Sequence, residues 1–66
     1  MDMQNYMNIA RGEGYEVRFI GIGMGYVAFG TIALTEVMDT EKAEAQLALI
    51  GRAIINDDVR RMFQEG

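Results

Sequence analysis

The chain has 66 residues, no cysteine, no histidine and a formal net charge of −4. That length makes one domain, 1–66, with a core that is marginal alone, and the missing residue types exclude disulfides, the common zinc sites and Ser-His-Asp or Cys-His catalysis. The acidic balance argues against direct nucleic-acid binding, which needs clustered Lys and Arg, and an apolar share of 50% argues against disorder.

Residues 1–4 read as frayed. Tyr6 to Ala10 alternates weakly and reads as a first short strand. Arg11-Gly12-Glu13-Gly14 is a turn signal, because its glycines tolerate positive φ. From Tyr15 the alternation sharpens, with Tyr15, Val17 and Phe19 on one face and Glu16, Arg18 and Ile20 on the other.

Phe19 to Thr35 is an uncharged stretch closed by Arg18 and Glu36, and it holds four of the eight glycines. It fits a hairpin with strands at 15–23 and 26–36 and a reversal at Gly23-Met24-Gly25. It also nears the length of a membrane span, roughly 17–25 residues. The alternate glycines 21, 23 and 25, the β-branched and aromatic content, and the lack of flanking basic clusters favour the hairpin. A membrane is therefore not the expected partner, and a single span at 19–35 is the alternative.

Asp39 and Thr40 are N-cap candidates, with Glu41 in the first helical turn. Ala43, Leu47, Ile50 and Ile54 recur at helical spacing as one apolar stripe, with Glu41, Glu44 and Arg52 largely off it. Gly51 inside that helix would let the sheet backbone approach closely. Asn56-Asp57-Asp58 is expected to break the helix and cap a short terminal one, with Val59, Met62 and Phe63 as its apolar edge and Asp57–Arg61 as an i, i+4 pair. The fold expected is α+β: a three-stranded antiparallel meander followed by a C-terminal helix and a short terminal helix on one face.

With Met24-Gly25 as a two-residue turn, Ile22 faces Val27, Ile20 faces Phe29 and Val17 faces Ile32. Val17, Phe19, Ile32 and Leu34 then share one face. The other carries Ile20, Ile22, Val27 and Phe29, rimmed by Glu16, Arg18, Thr31 and Thr35. One helical layer covers one face, so this second patch is either a contact surface, for a partner or a second copy of the chain, or is covered by the short terminal helix. A register slip would also remove it. Glu16, Arg18, Ile20, Ile22, Val27 and Phe29 are the candidate interface residues.

No motif carries chemistry. Gly21-Ile22-Gly23-Met24-Gly25-Tyr26 lacks the spacing and framework of a dinucleotide fingerprint. Asp57-Asp58 and Glu41/Glu44 have no Ca²⁺-loop spacing and read as solvated helix ends. Arg60-Arg61 suits a helix C-terminus better than a phosphate clamp. No cofactor, metal or catalytic residue is assigned, and no enzymatic activity is expected. An oligomer enclosing a nucleotide at a glycine-lined interface is a further alternative. The N-terminus has no signal-peptide pattern, and the lack of cysteine fits a reducing, cytoplasmic setting.

Asn5-Tyr6-Met7-Asn8-Ile9-Ala10, ahead of a glycine turn, a hairpin and a helical region, resembles small phage-encoded anti-CRISPR inhibitors of type I-F systems. Gly51-Arg52 is similar as well. The resemblance implies a β-β-β-α-α layout and a non-enzymatic protein that binds a bacterial crRNA-guided surveillance complex and blocks target DNA. Arg11-Gly12-Glu13 stands where the family has an aromatic residue, and Ile22 lies near where it has an acidic one, so no binding residue carries over.

Overall fold

The computed structural model describes residues 2–65, with side chains through Arg61. The elements run α1 (Met3–Gly12), β1 (Tyr15–Gly21), β2 (Met24–Phe29), β3 (Ile32–Ala33), β4 (Met38–Asp39) and α2 (Thr40–Glu65). The class is α+β, with an antiparallel meander β1-β2-β3 and two helices.

The first element is a helix, where alternation suggested a strand at Tyr6–Ala10. Asp2 caps it: its carboxylate accepts from the Asn5 backbone N–H at 2.9 Å. Only Ile9 is β-branched between Met3 and Gly12, so little opposes helix formation. Arg11 in the last turn suits the dipole and donates to Asn8 at 3.1 Å. Met7 and Ala10, three apart, are buried on one side. The segment expected to fray therefore begins, from Asp2, as a capped helix.

β1 and β2 form the expected hairpin in a different register. The turn is Ile22-Gly23, with Gly23 at φ +72°. Val17 faces Val27, and Tyr15 faces Phe29. The expected pairing had placed Val17 opposite Ile32, so the strands are slid by five residues. An odd slide exchanges the faces of one strand relative to the other. Gly25 is a strand residue opposite Phe19, and a Cβ there would lie 2.7 Å from the Arg18 carbonyl oxygen. Close strand contact, not reversal, is its role.

The long second strand expected at 26–36 is cut by a further turn at Gly30-Thr31. Gly30 has φ +60° and no non-glycine residue among those described has positive φ, the combination of a II′-type reversal. β3 pairs with the Ala28-Phe29 end of β2, and β4 with its Met24-Gly25 end. Between them Thr35 substitutes for the ladder: its Oγ1 accepts from the Val27 N–H at 3.1 Å, while the Leu34 N–H donates to the Val27 carbonyl at 2.8 Å. β2 is thus central, with β1 on one side and β3 and β4 along the other.

α2 starts as expected, with Asp39 accepting from the Lys42 N–H at 3.0 Å. Ala43 and Leu47 are buried, and Ile50 and Ile54 half-buried. The helix runs unbroken through Asn56-Asp57-Asp58. Those residues cost up to about 0.7 kcal/mol each relative to alanine, less than a proline would, and half-buried Ile54 and Ile55 anchor the turn before them. The expected Asp57–Arg61 pair closes at 2.9 Å, both side chains being largely exposed, which adds a few tenths of a kcal/mol. The side chains of Met62 and Phe63 lie outside those described. At 1.5 Å per residue α2 is ~39 Å long, against ~20 Å for the six residues of β2. Its C-terminal turns therefore project past the sheet.

Both helices pack on the sheet face that carries Tyr15, Val17 and Val27. Met7, Ala10, Val27, Leu47 and Ala48 form the core cluster, joined by Tyr6, Tyr15, Val17 and Ile50. Gly51 serves α1 rather than the sheet: a Cβ on it would fall 1.8 Å from the Tyr6 carbonyl oxygen. No side chain fits there without separating the helices.

Gly51→Ala therefore should lower stability although alanine is the better helix former by about 1 kcal/mol. Overpacking against backbone costs about 1–3 kcal/mol or more, so a net loss of about 2 kcal/mol is expected in chemical denaturation. A variant as stable as the parent would contradict this helix contact. Leu47→Ala, which empties the centre of the cluster, should cost about 2–5 kcal/mol in the same assay.

Candidate functional site

The register decides what each candidate interface residue does. Val27 is fully buried among Met7, Ala10, Leu47 and Ala48, so it is a core residue and not a surface anchor. Phe29 shares the helix-covered face of Val27. Its ring lies 4.8 Å from that of Tyr15, tilted by 52°, and it packs where a Cβ on Gly14 would be 3.1 Å away. Although 43% exposed, it closes the edge of the core. These two corrections dissolve the four-residue apolar face: the five-residue slide sends Val27 and Phe29 to the opposite side from the one expected.

Glu16 and Arg18 lie together on the uncovered face, as expected. Arg18 Nε donates to Glu16 Oε1 at 3.0 Å, and a terminal guanidinium nitrogen donates to the Gly30 carbonyl. Tyr26 sits directly across from Arg18, and Ala28 across from Glu16. The hydrogen bond that Arg18 donates to Glu16, and next its hydrogen bond with Tyr26, hold the guanidinium above its ordinary pKa. Arg18 spans from β1 over β2 to the second turn, and Ala28 on that face has no exposure. This face is polar with a small alanine floor, the usual pattern for the open side of an antiparallel sheet.

Among the exposed apolar side chains, several lie at the end of the β1–β2 hairpin. Ile22, in the turn itself, is fully exposed; Phe19 is 66% and Ile20 58% exposed. Met24, across from Gly21, is exposed as well. The ladder shifts register between Phe19 and Gly21, and such a bulge bends the strand and re-aims its side chains. Phe19 gains little cover because its cross-strand partner is Gly25. Ile20 and Ile22 were expected at the surface. Phe19 was expected under the helices and Met24 in the turn, and only the pairing reveals both as part of the tip.

Among the described residues no cluster of acidic side chains could hold a metal ion, and no helix is long and apolar enough to cross a membrane. Residues 19–35, the alternative span, form strands and turns instead of a helix. Asn5–Ala10, on which the anti-CRISPR resemblance rests, lies in α1, so the order α-β-β-β-β-α departs from the β-β-β-α-α layout of that family. Comparison with protein-family profiles, curated proteins and solved structures finds no match to this chain.

Two substitutions separate core from surface. Val27→Asp buries an unpartnered carboxylate and should cost about 3 kcal/mol or more, abolishing the thermal transition. Ile22→Asp should move stability by no more than about 0.5 kcal/mol. The reverse order in circular-dichroism melts would overturn the register.

Proposed function

We propose that this is a small, non-enzymatic protein-binding module that uses the β1–β2 hairpin tip as its contact surface. The observation that carries this reading is Ile22. A fully exposed β-branched residue in a two-residue turn contributes nothing to folding, and polar residues or glycine usually fill such positions. Phe19, Ile20 and Met24 beside it enlarge the apolar spot, and contiguous patches of this kind favour a partner. Glu16 and Arg18, farther along β1, supply a polar border with two charges that cancel.

The resemblance to type I-F anti-CRISPR inhibitors suggests the class of partner: a bacterial crRNA-guided surveillance complex, met through protein contacts and not through nucleic acid. That partner class rests on Asn5–Ala10, whereas the contact surface rests on the exposed tip, so the two stand independently. A host-cell cytoplasmic location belongs to the same reading.

The test uses purified type I-F surveillance complex with the wild-type chain and the Ile22→Asp variant. Retention of the wild type, with binding weakened at least about tenfold in the variant, is expected; loss of a central apolar anchor commonly costs 1.4 kcal/mol or more. No retention of the wild type would remove this partner class. Equal retention of both chains would remove the tip as the contact.

A further inference from the structure

We propose that two copies of this chain associate through the outer edge of β1, joining their sheets antiparallel about Val17. This surface is distinct from the hairpin tip and does not depend on the function proposed for it.

Among the described residues β1 pairs only with β2. No backbone hydrogen bond of the described residues leaves its other side. A groove lined in part by Arg11, Tyr15, Val17, Phe19 and Glu44 runs beside it, so the helical layer does not close it off. An unpaired strand edge is a template for another strand, and proteins that stay apart usually block it with like charge, proline or extreme shortness. β1 has seven residues and no proline, and its two charges neutralise each other at 2.9 Å.

The occupant follows from the residue order. The ladder is regular from Tyr15 to Phe19 and shifts beyond. This regular segment reads Tyr-Glu-Val-Arg-Phe. Its ends are aromatic, its centre is β-branched, and its flanking charges have opposite sign. Laid antiparallel on itself about Val17, it sets Glu16 of each copy opposite Arg18 of the other, Tyr15 opposite Phe19, and Val17 opposite Val17. Opposite charges and aromatic pairs are favourable cross-strand neighbours. A two-fold axis repeats each contact, as a closed dimer requires. Glu16 accepts Arg18 through Oε1, leaving Oε2 for the second copy, and both side chains are exposed enough to exchange present contacts for those across the axis. The pairing would also cover Phe19, now 66% exposed.

The charge order makes a reversal test decisive. Sedimentation equilibrium of the full chain should show a dimer. Glu16→Arg alone sets like charges opposite each other twice per dimer, and Arg18→Glu does the same with the other sign. Each should weaken the dimer at least about tenfold, from the sum of two lost and two repulsive cross-strand pairs. The double variant E16R/R18E should restore it, and an equimolar mixture of the two single variants should form a mixed dimer. Both charged side chains are substantially exposed, and circular dichroism checks that each variant is folded. A wild-type chain that stays monomeric at millimolar concentration would overturn the proposal. So would a dimer indifferent to the single reversals, or one dispersed by Ile22→Asp instead.

Discussion

The architecture depends on one contact between helices, the approach of Gly51 to the Tyr6 carbonyl. With no side chain at that point, α1 lies directly on α2, and Met7 and Ala10 meet Leu47 and Ala48. The resulting two-helix layer covers Tyr15, Val17 and Val27. Much of the core is made of small residues, with Ala10, Ala43 and Ala48 all buried. Such a core gains stability from close approach more than from large buried area. A chain of this size has little surplus to absorb a loosened helix pair.

That layer covers only part of the sheet. It leaves the hairpin tip without cover, and it leaves the outer side of β1 unpaired. Both features involve β1, but they differ in chemistry. The tip is apolar and irregular, bent by the register shift after Phe19. The edge before that shift is regular, with charges in antisymmetric order. The opposite side of β2 is well finished: β3, β4 and the Thr35 hydroxyl between them occupy its hydrogen-bonding groups. The contrast is why both proposed contact surfaces involve β1.

Local chemistry was legible wherever a residue's role depends on neighbours close in sequence. The Asp39 cap, the Ala43–Leu47–Ile50–Ile54 stripe and the Asp57–Arg61 pair all arise within a turn or two of helix. The hairpin was readable from β-branched residues and glycines, and the shared face of Glu16 and Arg18 from simple alternation. The helix at Met3–Gly12 carried its own signal in the Asp2 cap and in the spacing of Met7 and Ala10. A weak period-two pattern over five residues competed with that signal. The second reversal had a signal in Gly30-Thr31 that was outweighed by the apolar run around it.

By itself, then, the order of residues determined the class of the fold, the start and buried stripe of α2, and a glycine-turned hairpin in the uncharged middle. Only the tertiary structure decided which glycine reverses the chain. Gly21, Gly23 and Gly25 are equivalent to a local reading, but only one pairing puts Val17 and Val27 together over Leu47 while Gly25 accommodates the Arg18 carbonyl. Side-chain faces follow from register parity, and register is set by what packs beneath the sheet. Burial of Val27, exposure of Ile22 and a free edge on β1 are therefore properties of the assembled core and not of the segment that contains them.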